Sequence, residues 1–208
     1  MKIKFYGNSC FSITEGGFSA ITDPHNKLSG APKANVVTIS QSSPEHSNSA
    51  AVQGEPKVFN WPGEYEVGGV HIMGTASFHN PKEAKKQDEN TIFTFDINGI
   101  HLCHLGVLGT KLIPEQLEQI GDVDVLFIPV GGNEVIDAKK AKEVIEQIEP
   151  RVIIPMAYCE DGDDCGLGVL SPFLQGMGAQ SLEPLNEFEV KRADLPEESS
   201  KVVVLKKQ

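Results

Sequence analysis

The segment that most constrains the fold is the nearly unbroken apolar run over residues 35–40, which ends where a polar stretch begins at Gln41. A strand with one solvated face alternates apolar and polar residues, whereas a continuous apolar run is typical of a strand covered on both faces. We therefore predict a buried strand over residues 35–40, with further layers packed on each side of its sheet.

The two halves of the chain differ in the pattern of their predicted strands and helices. The first half has short apolar runs broken by turn residues, and Asn98-Gly99 predicts a tight hairpin. In the second half, an apolar strand over residues 123–130 precedes a helix that runs from a cap at Asp137 to Ile148, and a strand over 151–156 follows. This strand–helix–strand unit predicts a parallel crossover. The strands predicted in the first half cover residues 2–6, 10–14, 18–22, 58–61, 70–77, 91–97 and 100–105.

These elements predict one domain over residues 1–208, of the α/β or α+β class, because no repeat or linker divides the chain. The net charge of −11 disfavours nucleic-acid binding. No apolar run approaches the ~18–20 residues that span a bilayer, and the N-terminus lacks a signal-peptide pattern. We expect a cytoplasmic protein without membrane contact, whose cysteines are reduced thiols: Cys10, Cys103, Cys159 and Cys165.

The polar stretch after the predicted buried strand resembles the metal-binding loop of the metallo-β-lactamase-fold hydrolases, which reads His-x-His-x-Asp-His. Here the six positions are Gln41, Ser42, Ser43, Pro44, Glu45 and His46. Other segments resemble the small, single-domain, lactonase-like branch of the Zn-dependent hydrolases, in family order: residues 7–11, 22–24, 62–69, 90–93, 103–106, 128–132, 136–138 and 154–158. The resemblance implies a four-layer αββα sandwich, an α+β fold.

The resemblance also implies where two metals would be held. The first metal would use positions 41, 43 and 79, the second would use 45, 46 and 157, and an aspartate at position 107 would bridge them. In this chain those positions are Gln41, Ser43 and His79, then Glu45, His46 and Ala157, with Val107 at the bridge.

Side-chain chemistry argues that this metal site is eroded. Valine and alanine donate no electron pair, and serine hydroxyl and glutamine carbonyl groups are poor zinc ligands. The remaining donors are Glu45, His46 and His79. In the family that the chain resembles, position 79 holds the first metal and positions 45 and 46 hold the second. We therefore expect no tightly bound cofactor. We predict a non-catalytic or repurposed cleft, a pseudoenzyme that binds a small polar ligand or a protein partner, and an oligomer is compatible with either.

Two alternatives stay open. The protein could be a hydrolase of a phosphoester, a lactone or a similar ester that works with one residual metal or none, with Glu45 or His46 as general base toward a water; zinc is the possible metal. Conversely, His46 could simply pin its loop, Glu45 could be a solvated carboxylate, and His79 could bond a neighbouring loop. The acidic segment over residues 159–165, with a cysteine at each end, predicts a solvated loop or, alternatively, a cation site.

Overall fold

The computed structural model describes residues 1–28, 30, 33–79, 89–160 and 165–208. Its strands are β1 (Lys2–Phe5), β2 (Phe11–Glu15), β3 (Phe18–Thr22), β4 (Val36–Thr38), β5 (Lys57–Phe59), β6 (Gly63–Val67), β7 (Val70–Phe78), β8 (Glu89–Ile97), β9 (Ile100–His104), β10 (Val125–Pro129), β11 (Val152–Met156), β12 (Phe188–Glu189) and β13 (Lys201–Val202). The α-helices are α1 (Pro114–Ile120), α2 (Ala138–Ile148) and α3 (Ser171–Gly176).

The strands form two sheets that pack face to face. The first sheet has the order β12-β1-β2-β3-β4-β5, and the second has the order β13-β11-β10-β9-β8-β7-β6. Apolar side chains from both sheets meet between them, and the rings of Phe11 and Phe127 are 4.6 Å apart across this interface. The predicted α+β sandwich is confirmed.

Helix α2 covers the outer face of the second sheet. Its first turn is capped by Asp137, whose side chain accepts a hydrogen bond from the Lys140 N–H at 2.8 Å. The helix buries Ala141, Val144 and Ile145 against a second apolar cluster. Strands β10 and β11 are parallel, as the predicted crossover requires.

A smaller apolar cluster lies on the outer face of the first sheet. Val37 and Ile21 pack there against Val52, which follows a 3-10 turn at Ser49–Ala51. Strand β4 is therefore buried on both faces, as the apolar run predicted. Among the described residues, no helix is long and apolar enough to span a membrane.

The prediction of four reduced thiols is wrong for one pair. Cys10 and Cys103 are free and buried, but Cys159 and Cys165 form a disulfide with a Cα–Cα distance of 5.8 Å. That distance suits a disulfide, and a spacing of six residues carries no sequence motif that would have revealed the bond. The interior of the acidic segment, residues 161–164, lies outside the described residues, as do residues 80–88, which we predicted as a charged loop.

Candidate functional site

The candidate site lies where several strands of both sheets end on the same side. Strands β3 and β4 are parallel neighbours in the first sheet, and β9, β10 and β11 are parallel neighbours in the second. Carboxyl ends of parallel strands meet at one edge of a sheet, so the loops that follow them form a common cleft. Gln41 to His46 follow β4, Val107 follows β9, and Ala157 follows β11.

The loop after β4 is anchored at both ends to the turn after β3. Ser40 donates its backbone N–H and its hydroxyl to the two carboxylate oxygens of Asp23, at 2.7 and 2.6 Å. At the other end, the Asn48 N–H donates to the Pro24 carbonyl at 2.7 Å. Hydrogen bonds to the Ser43 carbonyl from the His46 N–H and the Ser47 hydroxyl tighten the loop between these anchors.

Asn8 connects three loops at the cleft. Its carbonyl accepts a hydrogen bond from the Ala157 N–H at 2.8 Å, and its amide donates to the Glu45 carbonyl at 3.3 Å. Asn8 and Ala157 both have left-handed backbones, with φ of 54° and 51°. Asparagine tolerates this conformation well, whereas alanine does so at a cost of roughly 1–2 kcal/mol.

A cavity of about 160 Å³ lies between these loops, and we call it the histidine cavity. It is lined by Asn8, Gln41, Glu45, His46, His79, Val107, Glu134, Val135, Ala157, Cys165, Gly166 and Leu167. The structure thus brings together six of the seven predicted site residues. Ser43 is not among the lining residues, since it lies in the turn that holds the loop.

His79 presents a nitrogen that can accept a hydrogen bond. Its Nδ1 lies 3.0 Å from the Val107 carbonyl, which can only accept, so Nδ1 carries the proton of the neutral ring. In the tautomer that this contact selects, Nε2 is the nitrogen that can accept a hydrogen bond, and His79 lines the cavity. Val107 thus contributes a backbone contact that orients His79 and an alkyl side chain where the resemblance implies a carboxylate.

His46 is buried beside the cavity with an unsatisfied nitrogen. Its Nδ1 has no hydrogen-bond partner among the described residues, and burial lowers the pKa of His46 to about 4. The Glu45 carboxylate opposes that shift, while His79 and His25 reinforce it. The ring is therefore neutral near pH 7, which a metal ligand or general base requires.

Asp23 is a buried carboxylate 3.8 Å from His46 Nδ1. Burial raises the pKa of Asp23 to about 7, and the two hydrogen bonds from Ser40 act in the opposite direction. In the sequence, Asp23 stands out only as part of the segment 22–24 that resembles the family. The sequence did not reveal that Asp23 positions the loop after β4.

Two further histidines near the site have both ring nitrogens satisfied. His25 bonds the Tyr6 carbonyl through Nε2 and accepts the Lys27 N–H through Nδ1. His104 bonds the Ser9 carbonyl and accepts the Gly106 N–H, and it is 1 % exposed between the rings of Phe11 and Phe127. Neither histidine therefore has a ring nitrogen left to bind a ligand.

The donors around the histidine cavity do not form a preassembled metal site. Across the described ranges, no group of three or more His, Cys, Asp or Glu side chains is placed to hold a metal ion. Glu134 is a carboxylate that the sequence did not single out, and it reaches the cavity from the loop after β10. Glu134 is far from Glu45 and His79 in the sequence, so no motif spacing could have identified it as a site residue.

Comparison with known proteins gives consistent matches. Residues 2–157 match the β-lactamase superfamily domain. A UPF0173 metal-dependent hydrolase from Carboxydothermus hydrogenoformans is 26 % identical over 193 residues, covering 76 % of this chain and 84 % of its own length. The crystal structure of a metallo-β-lactamase superfamily protein from Thermotoga maritima is 36 % identical with a TM-score of 0.82, covering 98 % of each chain.

A more distant structure shares the fold alone. Igni18, a metallo hydrolase from Ignicoccus hospitalis, is 18 % identical with a TM-score of 0.65, and the match covers 91 % of this chain and 99 % of Igni18. The matches to the superfamily domain and to the Thermotoga maritima protein confirm the family predicted from the sequence motifs.

Proposed function

Because this chain belongs to the β-lactamase superfamily, we propose that it keeps the superfamily's cleft but binds a small polar ligand there without a two-metal centre. The observation that carries the proposal is the presence of Val107 and Ala157 in the lining of the histidine cavity. Both side chains are buried and neither can donate an electron pair.

A two-metal centre needs more donors than this cavity offers. Paired catalytic metals lie about 3.5–4 Å apart and are commonly bridged by a carboxylate that offsets their mutual repulsion. Val107 stands at the position where the resemblance implies that carboxylate, and Ser43 is outside the cavity lining. The residues present therefore do not fit two metals, and the proposed function includes no metal-dependent step.

The polar groups that remain suit recognition of a polar ligand. His79 offers the ring nitrogen that does not bond Val107, Asn8 offers an amide, and Glu45 offers a carboxylate at the cavity. Pockets for small ligands are commonly apolar walls with a few convergent polar groups, and Val107, Val135 and Leu167 supply such walls here.

A second candidate function is hydrolysis at one residual metal. The observation that favours it is the buried Nδ1 of His46, which no described residue bonds and which a cation would satisfy. Relatives carry the name metal-dependent hydrolase, which agrees with this candidate. Glu45 and His79 would have to converge with His46 on one ion, and the loop after β4 would have to rearrange for that.

A zinc titration of chelator-treated protein separates the two candidates. We expect the melting temperature to be independent of zinc at one equivalent, because no described group of donors is placed to bind the ion. A saturable rise in melting temperature would instead support the residual metal site.

The variant His46→Gln/His79→Gln tests whether any such rise belongs to the histidine cavity. A matched control is His71→Gln/His101→Gln, which removes two exposed histidines on β7 and β9. Zinc stabilisation that is lost in the first variant and kept in the control would overturn the proposed function.

A further inference from the structure

A second cavity of about 460 Å³ adjoins the histidine cavity. The two share Asn8, Glu45, Cys165 and Leu167 in their linings, so they form one continuous cleft. We call the second cavity the lysine pocket, since Lys27 and Lys207 both line it. Its volume lies within the ~300–1,000 Å³ range of pockets that bind small molecules, whereas the histidine cavity alone is smaller.

The backbone holds Lys207 at this pocket. The C-terminal segment pairs with the end of β1, where Lys207 bridges to Phe5 and the Gln208 N–H donates to the Phe5 carbonyl at 3.0 Å. The Lys207 side chain then crosses Gly7, and a Cβ at position 7 would lie 3.0 Å from its Cε. Glycine at position 7 therefore leaves the space in which this stem lies, and Lys207 is among the residues that line the pocket.

Lys27 is held at the pocket by the turn that contains His25. Its backbone N–H donates to His25 Nδ1 at 3.1 Å, while His25 Nε2 donates to the Tyr6 carbonyl at 2.9 Å. The buried imidazole thus fixes the short segment that carries Lys27. This gives His25 a positioning role in the cleft, although both of its nitrogens are occupied.

Neither lysine at the pocket is ion-paired within the described part of the chain. Lys2, Lys4 and Lys111 each form an ion pair, whereas Lys27 and Lys207 form none with any described residue. Glu45 and Glu160 also line the pocket, but neither carboxylate lies within ion-pair distance of either ammonium group. An oxyanion in the pocket can therefore accept hydrogen bonds from both ammonium groups.

Neutral donors complete the pocket. Burial raises the pKa of Tyr158 to about 12, so its hydroxyl keeps its proton and can donate. The amide of Asn8 lies where the pocket meets the histidine cavity. Charged and neutral hydrogen-bond donors together are the usual surroundings of a bound oxyanion.

We infer that the lysine pocket binds the oxyanion of a small ligand, a carboxylate or a phosphate, whose polar remainder extends into the histidine cavity. The inference rests on the proposed function and adds to it a ligand class. Lys27 and Lys207 provide the attraction, and Asn8 and Tyr158 orient the bound group.

Anion titrations of chelator-treated protein test this inference, with inorganic phosphate in one series and succinate in the other. Ionic strength is held constant with sodium chloride, and both the melting temperature and the heat of binding are recorded. We expect saturable binding of at least one anion. The variant Lys27→Gln/Lys207→Gln should bind about ten-fold more weakly or worse, since charge-assisted hydrogen bonds are lost.

The control variant Lys140→Gln/Lys142→Gln removes the same charge from the exposed side of α2 and should bind like the parent. Circular dichroism without anion checks that each variant folds, and the single variants replace the double variant if it does not. Equal binding by all three proteins, or no saturable binding of either anion by the parent, would overturn the inference. The zinc response of the same preparation reports separately on the proposed function.

Discussion

His46 Nδ1 lies 3.8 Å from the nearer carboxylate oxygen of Asp23, beyond hydrogen-bond distance, although both side chains are buried. The carboxylate is already occupied by the N–H and hydroxyl of Ser40. The loop after β4 is thus anchored by Asp23 and Ser40, and His46 carries an unsatisfied nitrogen beside the cavity. An unsatisfied buried polar group typically lowers stability by about 1–3 kcal/mol. A ligand that bonded His46 Nδ1 would remove this cost.

The first prediction concerns the pH dependence of stability. Burial holds the pKa of His46 at about 4 in the folded chain, below its ordinary value of 6.5. Between these pH values the unfolded chain binds a proton that the folded chain does not. The free energy of unfolding therefore falls as the pH is lowered from about 6.5 to about 4, by up to roughly 3 kcal/mol from this group.

The variant His46→Gln isolates that contribution. The buried groups His104 and Asp23 shift in opposite directions and are present in both proteins, so their own contributions largely cancel in the difference between parent and variant. His46 also contributes to the lowered pKa of His104, and losing that contribution makes the acid loss shallower too. Urea unfolding from pH 7 to pH 4 should show a shallower acid loss in the variant. A difference between the two proteins that does not change with pH would contradict the account of His46.

The second prediction concerns the backbone that holds Val107. Gly106 has φ of +60°, and a Cβ there would collide with Asn90 Oδ1 and lie 2.7 Å from Ser40 Oγ. The Asn90 oxygen also accepts the Val107 N–H at 2.9 Å. Gly106→Ala should lower the free energy of unfolding by roughly 2–5 kcal/mol, from left-handed strain together with overpacking.

Gly68→Ala is the matched control for that substitution. Gly68 lies in the turn between β6 and β7 with a similar φ of +61°, but a Cβ there would meet no atom within 4 Å. The control should lose only the strain component of about 1–2 kcal/mol. Equal losses in the two variants, measured by urea unfolding, would show that the contact of Gly106 with Ser40 and Asn90 is unimportant.

The third prediction concerns restoring metal donors. Val107→Asp/Ala157→His adds a carboxylate and an imidazole to the cavity that already contains Glu45 and His46. The left-handed backbone of Ala157 is one that histidine adopts more readily than most residues. We expect the variant to be less stable than the parent without metal, because an aspartate is buried, and to bind about one zinc ion with release of protons.

Calorimetry in two buffers of different ionisation enthalpy measures both the zinc uptake and the proton release. Adding His46→Gln to the variant should abolish most of the uptake. If the folded Val107→Asp/Ala157→His variant takes up no more zinc than the parent, positions 107 and 157 do not face a common ion.

The fourth prediction concerns the thiols. Cys10 and Cys103 are buried, and burial raises the pKa of each thiol, so neither should react with a thiol reagent in the folded protein. Unfolding without reductant should expose two reactive thiols per chain, because Cys159 and Cys165 are bonded to each other. Unfolding after reduction should expose four, and four thiols without prior reduction would contradict the disulfide.

Local pattern predicted much of this fold. The helix from Ala138 to Ile148 with its Asp137 cap, and the hairpin at Asn98-Gly99, follow the predicted elements closely because capping and turn chemistry act between near neighbours in the chain. Strand β6, which follows Pro62, was not predicted as a strand. Its residues alternate glutamate with partly buried side chains at a sheet edge, so it lacks a strong apolar signal.

The cleft was predicted in part, and the reason is the distance along the chain between the groups that form it. The resemblance predicted that Gln41, Glu45 and His46 share one cleft, and they line one cavity because they lie in one short loop. Lys27 and Lys207 both line the lysine pocket, and Gly7 leaves space for the Lys207 stem. These positions are far apart in the sequence, and no spacing rule connects them. Asp23 was missed as an anchor because its role depends on a long-range contact with Ser40.

Metal content is the most direct test of whether this cleft works without a two-metal centre. Elemental analysis of the native protein, purified without chelator, should find zinc, manganese and iron together well below one equivalent per chain, since Val107 and Ala157 supply no ligand. About one equivalent or more, retained through dialysis and lost in His46→Gln/His79→Gln, would contradict the account.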